Sequence, residues 1–406
     1  MDTTLRATAA QSRMPAALWA LTISAFGIGT TEFVIVGLLP VIAGDLGVSI
    51  PAAGLLVSFY AIGVAIGAPV LTAMTNKLPR KQLLISLMIL FIAGNTLAVF
   101  AKGYYLLVAA RMLTGFAHGV FFSVGATIAA AIVPPNKRAS AIALMFAGLT
   151  IAMVTGVPLG TFIGQQLGWR ATFMGVALLG AIGLAANMLL LPGNIPNEPA
   201  GHWKEQLLVF RNKKVLLGLL TTVLNYAGVF LVFTYLSPLL TSITGIAPAL
   251  VSIMLLIYGI AVAIGNVTGG KLANKNPLRS LRYILLLQAV ALVAFTVTMH
   301  SPVPAIINLF IIGGLSFATV PASQLYVVQS AEEMAPATAN VASALNIAAF
   351  NAGAAIGAYA GGVIVASSAG LAATPWAGAV SLLLAAGVTI VGVRRRNVYA
   401  TAIAEK

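Results

Sequence analysis

Glu32 stands inside a long apolar run, in Thr30-Thr31-Glu32-Phe33, and no other Asp or Glu lies well inside such a run. The chain has eight acidic residues; six fall in polar segments that share one side, and Asp45 in a short polar loop. At bilayer depth an ionisable group costs about 2.5 kcal/mol or more, so it marks function. A lone buried carboxyl group can bind and release a proton as its surroundings change. Arg111 and His118 suit this chemistry, because a spacing of seven puts them nearly on one face of a helix. Burial favours the neutral form of a carboxyl group and a nearby cation the charged form, so a group held between the two can switch. Glu32 is expected to carry the proton and Arg111 to tune or neutralise it. His118, whose imidazole type titrates near neutrality, is expected to relay the proton or touch substrate. The structural alternatives are a Glu32 that only partners Arg111, an Arg111 that is a structural or gating residue near the outer interface, and a His118 that only packs through a hydrogen bond.

The second half offers neutral groups: Asn225, Tyr226, Phe230, Phe233 and Tyr235 in one run, Gln324 in another, Asn346 and Asn351 in a third. Amides and aromatic rings can hydrogen-bond and stack on a sugar or an amphiphilic compound. The expected substrate contacts are Thr31, Phe122, Asn225, Tyr226, Phe230, Gln324, Asn346 and Asn351. Other chemistries lack their parts. There is no cysteine, and His118, His202 and His300 are too scattered for a metal site. No paired carboxylates lie in the runs, and neither a Gly-x-Ser-x-Gly elbow nor a phosphate loop occurs, which argues against an enzyme. No metal or cofactor is expected. A sensor or scaffold would need a soluble domain larger than the linker or tails provide.

The elements that must position these residues are membrane helices. Of 406 residues 60% are hydrophobic and 7% charged, against about 25% charged in globular proteins. Twelve apolar runs, near 16–41, 52–74, 83–101, 104–132, 140–164, 171–192, 215–240, 249–273, 283–299, 303–329, 337–364 and 375–393, are long enough to cross about 30 Å of hydrocarbon. With the N-terminus inside, 19 of the 22 Lys and Arg fall on the inner side, Lys102 and Arg170 fall outside, and Arg111 lies within a run. That asymmetry predicts an all-α, multi-pass protein of the plasma membrane with both termini cytoplasmic. The net charge of +14 is therefore a topology signal and a contact for anionic lipid, and not a nucleic-acid footprint. Residues 1–15 read as a cytoplasmic tail without a cleavable signal.

The chain divides as 1–192, a linker 193–214 and 215–406, six runs on either side. The linker is Pro-rich first; Trp203 to Arg211 then suits either a short surface helix or a plain connector. Tyr60-Ala61-Ile62-Gly63-Val64-Ala65-Ile66-Gly67 recurs as Tyr258-Gly259-Ile260-Ala261-Val262-Ala263-Ile264-Gly265, with six of eight identical at an offset of 198. The same offset pairs Asn76 with Asn274 and Pro40 with Pro238, and an offset of 197 pairs Gly156, Gly160 and Gly164 with Gly353, Gly357 and Gly361. Two parallel repeats about an axis along the membrane normal follow. The glycine faces, with Pro158 bending the first, are expected to pack at the seam between halves. The basic loops holding Asn76, Arg80 and Asn274 are expected to cap helix ends and latch the halves.

These motifs together resemble the major facilitator superfamily, in its twelve-helix drug–proton antiporter branch and near the arabinose-efflux-like permeases. The carriers are Thr30-Thr31-Glu32-Phe33, Leu78-Pro79-Arg80-Lys81, Arg111-Met112-Leu113-Thr114-Gly115 with Ala117-His118-Gly119, Gly156-Val157-Pro158-Leu159-Gly160, Trp169-Arg170, and Asn346 with Asn351-Ala352-Gly353. The loop signature departs at Thr72 and Asn76, and Val157 separates the Gly and Pro of the antiporter motif. The resemblance implies two six-helix bundles that rock about a central site. It also implies that the helices bearing Glu32, Arg111 and His118 are neighbours around a cavity. The expected activity is proton-driven export of small sugars or amphiphilic drugs by a monomer, with import or uniport of a small polar solute as the alternative.

Overall fold

The computed structural model describes residues 15–71, 74–75, 78–134, 137–195, 208–335 and 338–404. Among the described residues twelve helices are long and apolar enough to cross a membrane. In chain order they are α1 Ala16–Leu46, α2 Ile50–Leu71, α3 Arg80–Val99, α4 Tyr104–Ala131, α5 Ser140–Leu167, α6 Trp169–Leu190, α7 Lys213–Ser242, α8 Pro248–Ala273, α9 Pro277–Thr298, α10 Pro302–Glu332, α11 Val341–Ala366 and α12 Leu371–Ile390.

Local sequence sets the ends and interruptions. Gly47 takes a left-handed φ of 62° and closes α1; Ser49 then caps α2 by accepting the Ala52 N–H. Proline interrupts three helices by withholding an N–H from the residue four before it. In α2, Pro69 lies in a π-turn, Gly67–Leu71. In α5, Pro158 cannot donate to Val154, and a π-turn, Ala152–Gly156, forms just before it. In α7, Pro238 cannot donate to Thr234, and the helix breaks at Thr234 and Tyr235.

The two halves repeat each other in packing. α1 lies against α5 and α6, α2 against α4, and α3 against α4 and α6; α7 lies against α11 and α12, α8 against α10, and α9 against α10 and α12. The halves meet where α2 packs on α11 and α5 on α8, two contacts that the repeat exchanges, with α1 and α7 touching between them. Phe33 anchors that middle contact, its ring centroid 6.5 Å from Phe230, 6.2 Å from Phe233 and 6.2 Å from Phe317. Among the described residues two hydrogen bonds join the halves: Ser58 Oγ donates to Ala355 O at 3.1 Å and Gln165 Nε2 to Pro248 O at 2.9 Å.

The glycine faces pack elsewhere than expected. A Cβ on Gly156 would strike Thr30, one on Gly160 Val34 and one on Gly164 Leu38, all on α1. Gly353, Gly357 and Gly361 lie against Val223, Ala227 and Tyr235 of α7. Both faces therefore close the inside of a half. α5 and α11 do stand at the seam, but with other sides; there Gly259 of α8 seats on the backbone of Met153.

The basic loops also differ from expectation. Asn76 lies outside the described residues. Arg80 and the exposed Asn274 make no hydrogen bond or ion pair to the other half among the described residues. Asn276 instead caps α9 through Arg279 N. Lys81 Nζ donates to Met188 O at 2.9 Å and Leu191 O at 2.7 Å, satisfying carbonyls at the end of α6.

Candidate functional site

α1, α2 and α4 bring four polar side chains together in the first half. Glu32 is 7% exposed, Arg111 1% and His118 5%. Glycines make the approach possible: a Cβ on Gly115 of α4 would strike Tyr60 O of α2, and one on Gly63 of α2 would lie 2.6 Å from Met112 O of α4. His118 Nδ1 is 3.8 Å from Glu32 Oε2. The expected meeting of these two is thus present.

Arg111 does something different from ion pairing. Its Nη1 donates to Thr31 O at 2.7 Å and lies 3.4 Å from Thr31 Oγ1; Nη2 reaches Glu32 O and Nε reaches Leu56 O, each at 3.5 Å. Its Cζ sits 4.1 Å above the ring of Tyr60. The guanidinium is held by main-chain carbonyls of α1 and α2 and by one aromatic face, and it makes no carboxylate contact among the ion pairs of the described residues. Such a cation contributes positive potential at the site without neutralising Glu32 by direct contact.

Tyr60 is the site residue that sequence reasoning missed. Its hydroxyl is 2.9 Å from His118 Nδ1 and its ring carries Arg111. Its place at the head of the repeated Tyr60–Gly67 segment was the available signal, and that segment served only to align the halves.

Two expected substrate contacts are spent inside the first half. Thr31, fully buried, donates to Asn95 Oδ1 at 2.8 Å and is fixed between α1, α3 and α4. Phe122, 1% exposed, packs between His118 and Phe146, with ring centroids 4.8 Å and 5.1 Å away and the rings tilted. Neither is open to a solute in this arrangement.

The second half assembles most of the expected amides. Asn225 Nδ2 donates to Thr319 Oγ1 at 2.9 Å, and Tyr226 Oη is 3.2 Å from the same hydroxyl. Thr222 donates to Asn346 Oδ1 at 2.8 Å, Asn346 Nδ2 to Gln324 Oε1 at 2.6 Å, and Gln324 Nε2 to Ser343 Oγ at 2.6 Å. Phe350 joins the groups, 3.9 Å from Tyr226 and 6.0 Å from Phe230. Asn351 stands apart and bonds Ile347 O on its own helix. Thr222, Thr319 and Ser343 were not foreseen; hydroxyls on apolar helices commonly bond their own backbone, so nothing in their spacing set them apart. Asn225 Oδ1 and Asn351 Oδ1 are buried without a partner, so two acceptors remain for a ligand or water. Among the described residues no group of His, Asp and Glu could hold a metal ion.

Known proteins place this geometry. The sequence profile of the Major Facilitator Superfamily matches residues 21–341. The chain is 51% identical to the uncharacterized MFS-type transporter YtbD of Bacillus subtilis (strain 168), over 88% of this chain and 90% of that one. It is 33% identical to a chloramphenicol resistance protein of Streptomyces lividans, over 85% and 88% respectively. The crystal structure of a D-xylose-proton symporter superposes with a TM-score of 0.75 at 15% sequence identity, covering 92% of this chain and 96% of that one. Profile, relatives and fold agree: the chain belongs to the Major Facilitator Superfamily, a family of membrane transporters.

Proposed function

We propose that this chain is a proton-coupled exporter of small neutral or amphiphilic compounds, driven by exchange against protons at Glu32. One observation carries the reading: a carboxyl group in mid-span is buried beside an imidazole while the neighbouring guanidinium is committed to main-chain carbonyls. A carboxylate paired bidentately with arginine would be locked in its charged form. Glu32 is free of that lock and can alternate between charged and neutral as access changes. The neutral amides and rings of the second half supply the substrate contacts, so protons and cargo use different halves. The name of the Streptomyces relative favours outward transport of an amphiphilic compound. The basic loops favour both termini facing the cytoplasm of a bacterium, at its inner or plasma membrane. The energy source is the proton gradient, without a cofactor, and one chain holds both halves of the site, so a monomer suffices.

The test is transport by the purified chain in lipid vesicles, with chloramphenicol and a set of neutral sugars as probes and an imposed pH gradient. Export predicts uphill movement of a probe against the proton flux. Movement in the same direction as protons, or indifference to the gradient, would favour import or uniport.

A further inference from the structure

Tyr60 touches both Arg111 and His118 at once. Its ring lies 4.1 Å beneath Arg111 Cζ, and its hydroxyl is 2.9 Å from His118 Nδ1. Hydrogen-bond accounting fixes which atom donates. Tyr60 has one O–H, and His118 is its one partner among the described residues. If Nδ1 carried the proton, the Tyr60 hydrogen would be buried with no acceptor. With Tyr60 donating, Nδ1 accepts and the imidazole proton sits on Nε2, which is not among the buried atoms that lack a partner. Nδ1 is also the atom that faces Glu32 Oε2 at 3.8 Å. While it accepts from Tyr60 it cannot donate to the carboxylate.

We propose that Tyr60 is the positioning residue of the proton site: its hydroxyl holds His118 in the Nε2–H tautomer, and its ring holds Arg111 off the carboxylate, which leaves Glu32 free to exchange its proton. This rests on Glu32 being the coupling group. The charged and titratable groups around the cluster are Glu32 on α1, Tyr60 on α2, and Arg111 and His118 on α4. α5 carries no Asp, Glu, Lys, Arg, His or Tyr within Ser140–Leu167, and α11 carries only the exposed Tyr359 within Val341–Ala366.

The duplication supplies an internal control. At the repeat offset, Tyr60 corresponds to Tyr258, His118 to Ser316, Glu32 to Phe230 and Gly115 to Gly313. Tyr258 lies beside Ser316, and a Cβ on Gly313 would lie 3.0 Å from Tyr258 O, matching the close approach of Gly115 to Tyr60 O. The second half thus keeps the tyrosine, its place beside the neighbouring helix and the glycine beneath it, with the ionisable partners removed. A purely structural role for the tyrosine would be shared by both halves. A role in positioning the proton site would belong to Tyr60 alone.

The experiment uses the full chain in lipid nanodiscs with ¹⁵N-labelled histidine, the His118→Asn variant identifying the His118 signals. The wild type should show the Nε2–H tautomer. Tyr60→Phe, which keeps the ring over Arg111 and deletes only the hydroxyl, should convert His118 at least partly to the Nδ1–H form. The infrared carboxyl band of Glu32, identified through Glu32→Gln, should then titrate with a midpoint moved by about one pH unit or more, a tenfold change. Tyr258→Phe should leave both signals as in the wild type. An unchanged tautomer and midpoint in Tyr60→Phe, or an equal change in Tyr258→Phe, would overturn the assignment. The underlying reading fails by a different result, a Glu32→Gln chain that still moves probe uphill in vesicles.

Discussion

Substituting Gly259 by alanine should shift the balance between the transporter's two arrangements. Gly259 lies on α8 against the α5 backbone at the seam, and a Cβ there would collide with Met153 O while lying 2.8 Å from Met153 C and 3.0 Å from Val154 Cα. All three neighbours are main chain, so no side-chain rotation relieves the clash. Restoring ordinary contact requires α5 and α8 to part by about 1 Å in a close-packed interface. Overpacking of this kind costs about 1–3 kcal/mol, a factor of about 5–150 in a population ratio. The cost falls on the arrangement seen here and not on one in which α5 and α8 have separated. The chain has no cysteine, so spin labels can be placed cleanly at Leu167→Cys and Leu250→Cys, both exposed beside the Gln165–Pro248 bond. Double electron–electron resonance should show the longer-distance population rising at least fivefold relative to the shorter one. Gly175→Ala, with nothing within 4 Å of its Cβ, should leave the distribution unchanged. An identical distribution in Gly259→Ala and wild type, with the fold intact, would refute the reasoning.

Other outcomes follow from the same contacts. Arg111→Lys should lower transport at least tenfold without unfolding the chain, because one ammonium cannot span the carbonyls of Thr31, Glu32 and Leu56 as the guanidinium fork does; transport rate and melting temperature, measured together, check this. Thr222→Val and Gln324→Ala, at opposite sides of Asn346, should be non-additive in thermal stability by about 0.5–3 kcal/mol, as for members of one hydrogen-bond network. Asp45→Asn should cost about 1 kcal/mol or less in stability, and less still at high salt. Its partner Arg170 and the carboxylate are 38% and 44% exposed, so solvent screens the pair.

Much of the architecture was legible because membrane physics writes it in long signals. Twelve apolar runs predicted the helices within a few residues at most ends, and the offset of 198 predicted two halves that repeat each other. The largest differences lie at helix ends: α1 runs on to Leu46, past Asp45, and α9 begins at Pro277. Those ends are amphipathic, and hydropathy alone cannot separate a helix emerging from the bilayer from a loop. Rarity singled out Glu32 and His118, since each is costly at depth; that their helices are neighbours came from the family resemblance. The direction of Arg111 was not legible, because any backbone carbonyl can accept from a guanidinium and the sequence does not mark which. The glycine faces showed the same limit: spacing announces a close approach but does not name the helix that makes it. Tyr60 was hidden because a tyrosine in an apolar helix most often only packs; its role depends on partners from α4 that three-dimensional proximity supplies.

The most direct measurement compares two transport modes of Glu32→Gln in vesicles with an established probe. Exchange of labelled for unlabelled probe at equal pH on both sides needs only the alternating carrier; accumulation driven by a pH gradient needs the titrating carboxyl as well. The account predicts that exchange persists while gradient-driven accumulation falls to background. Accumulation at the wild-type level in Glu32→Gln would contradict it.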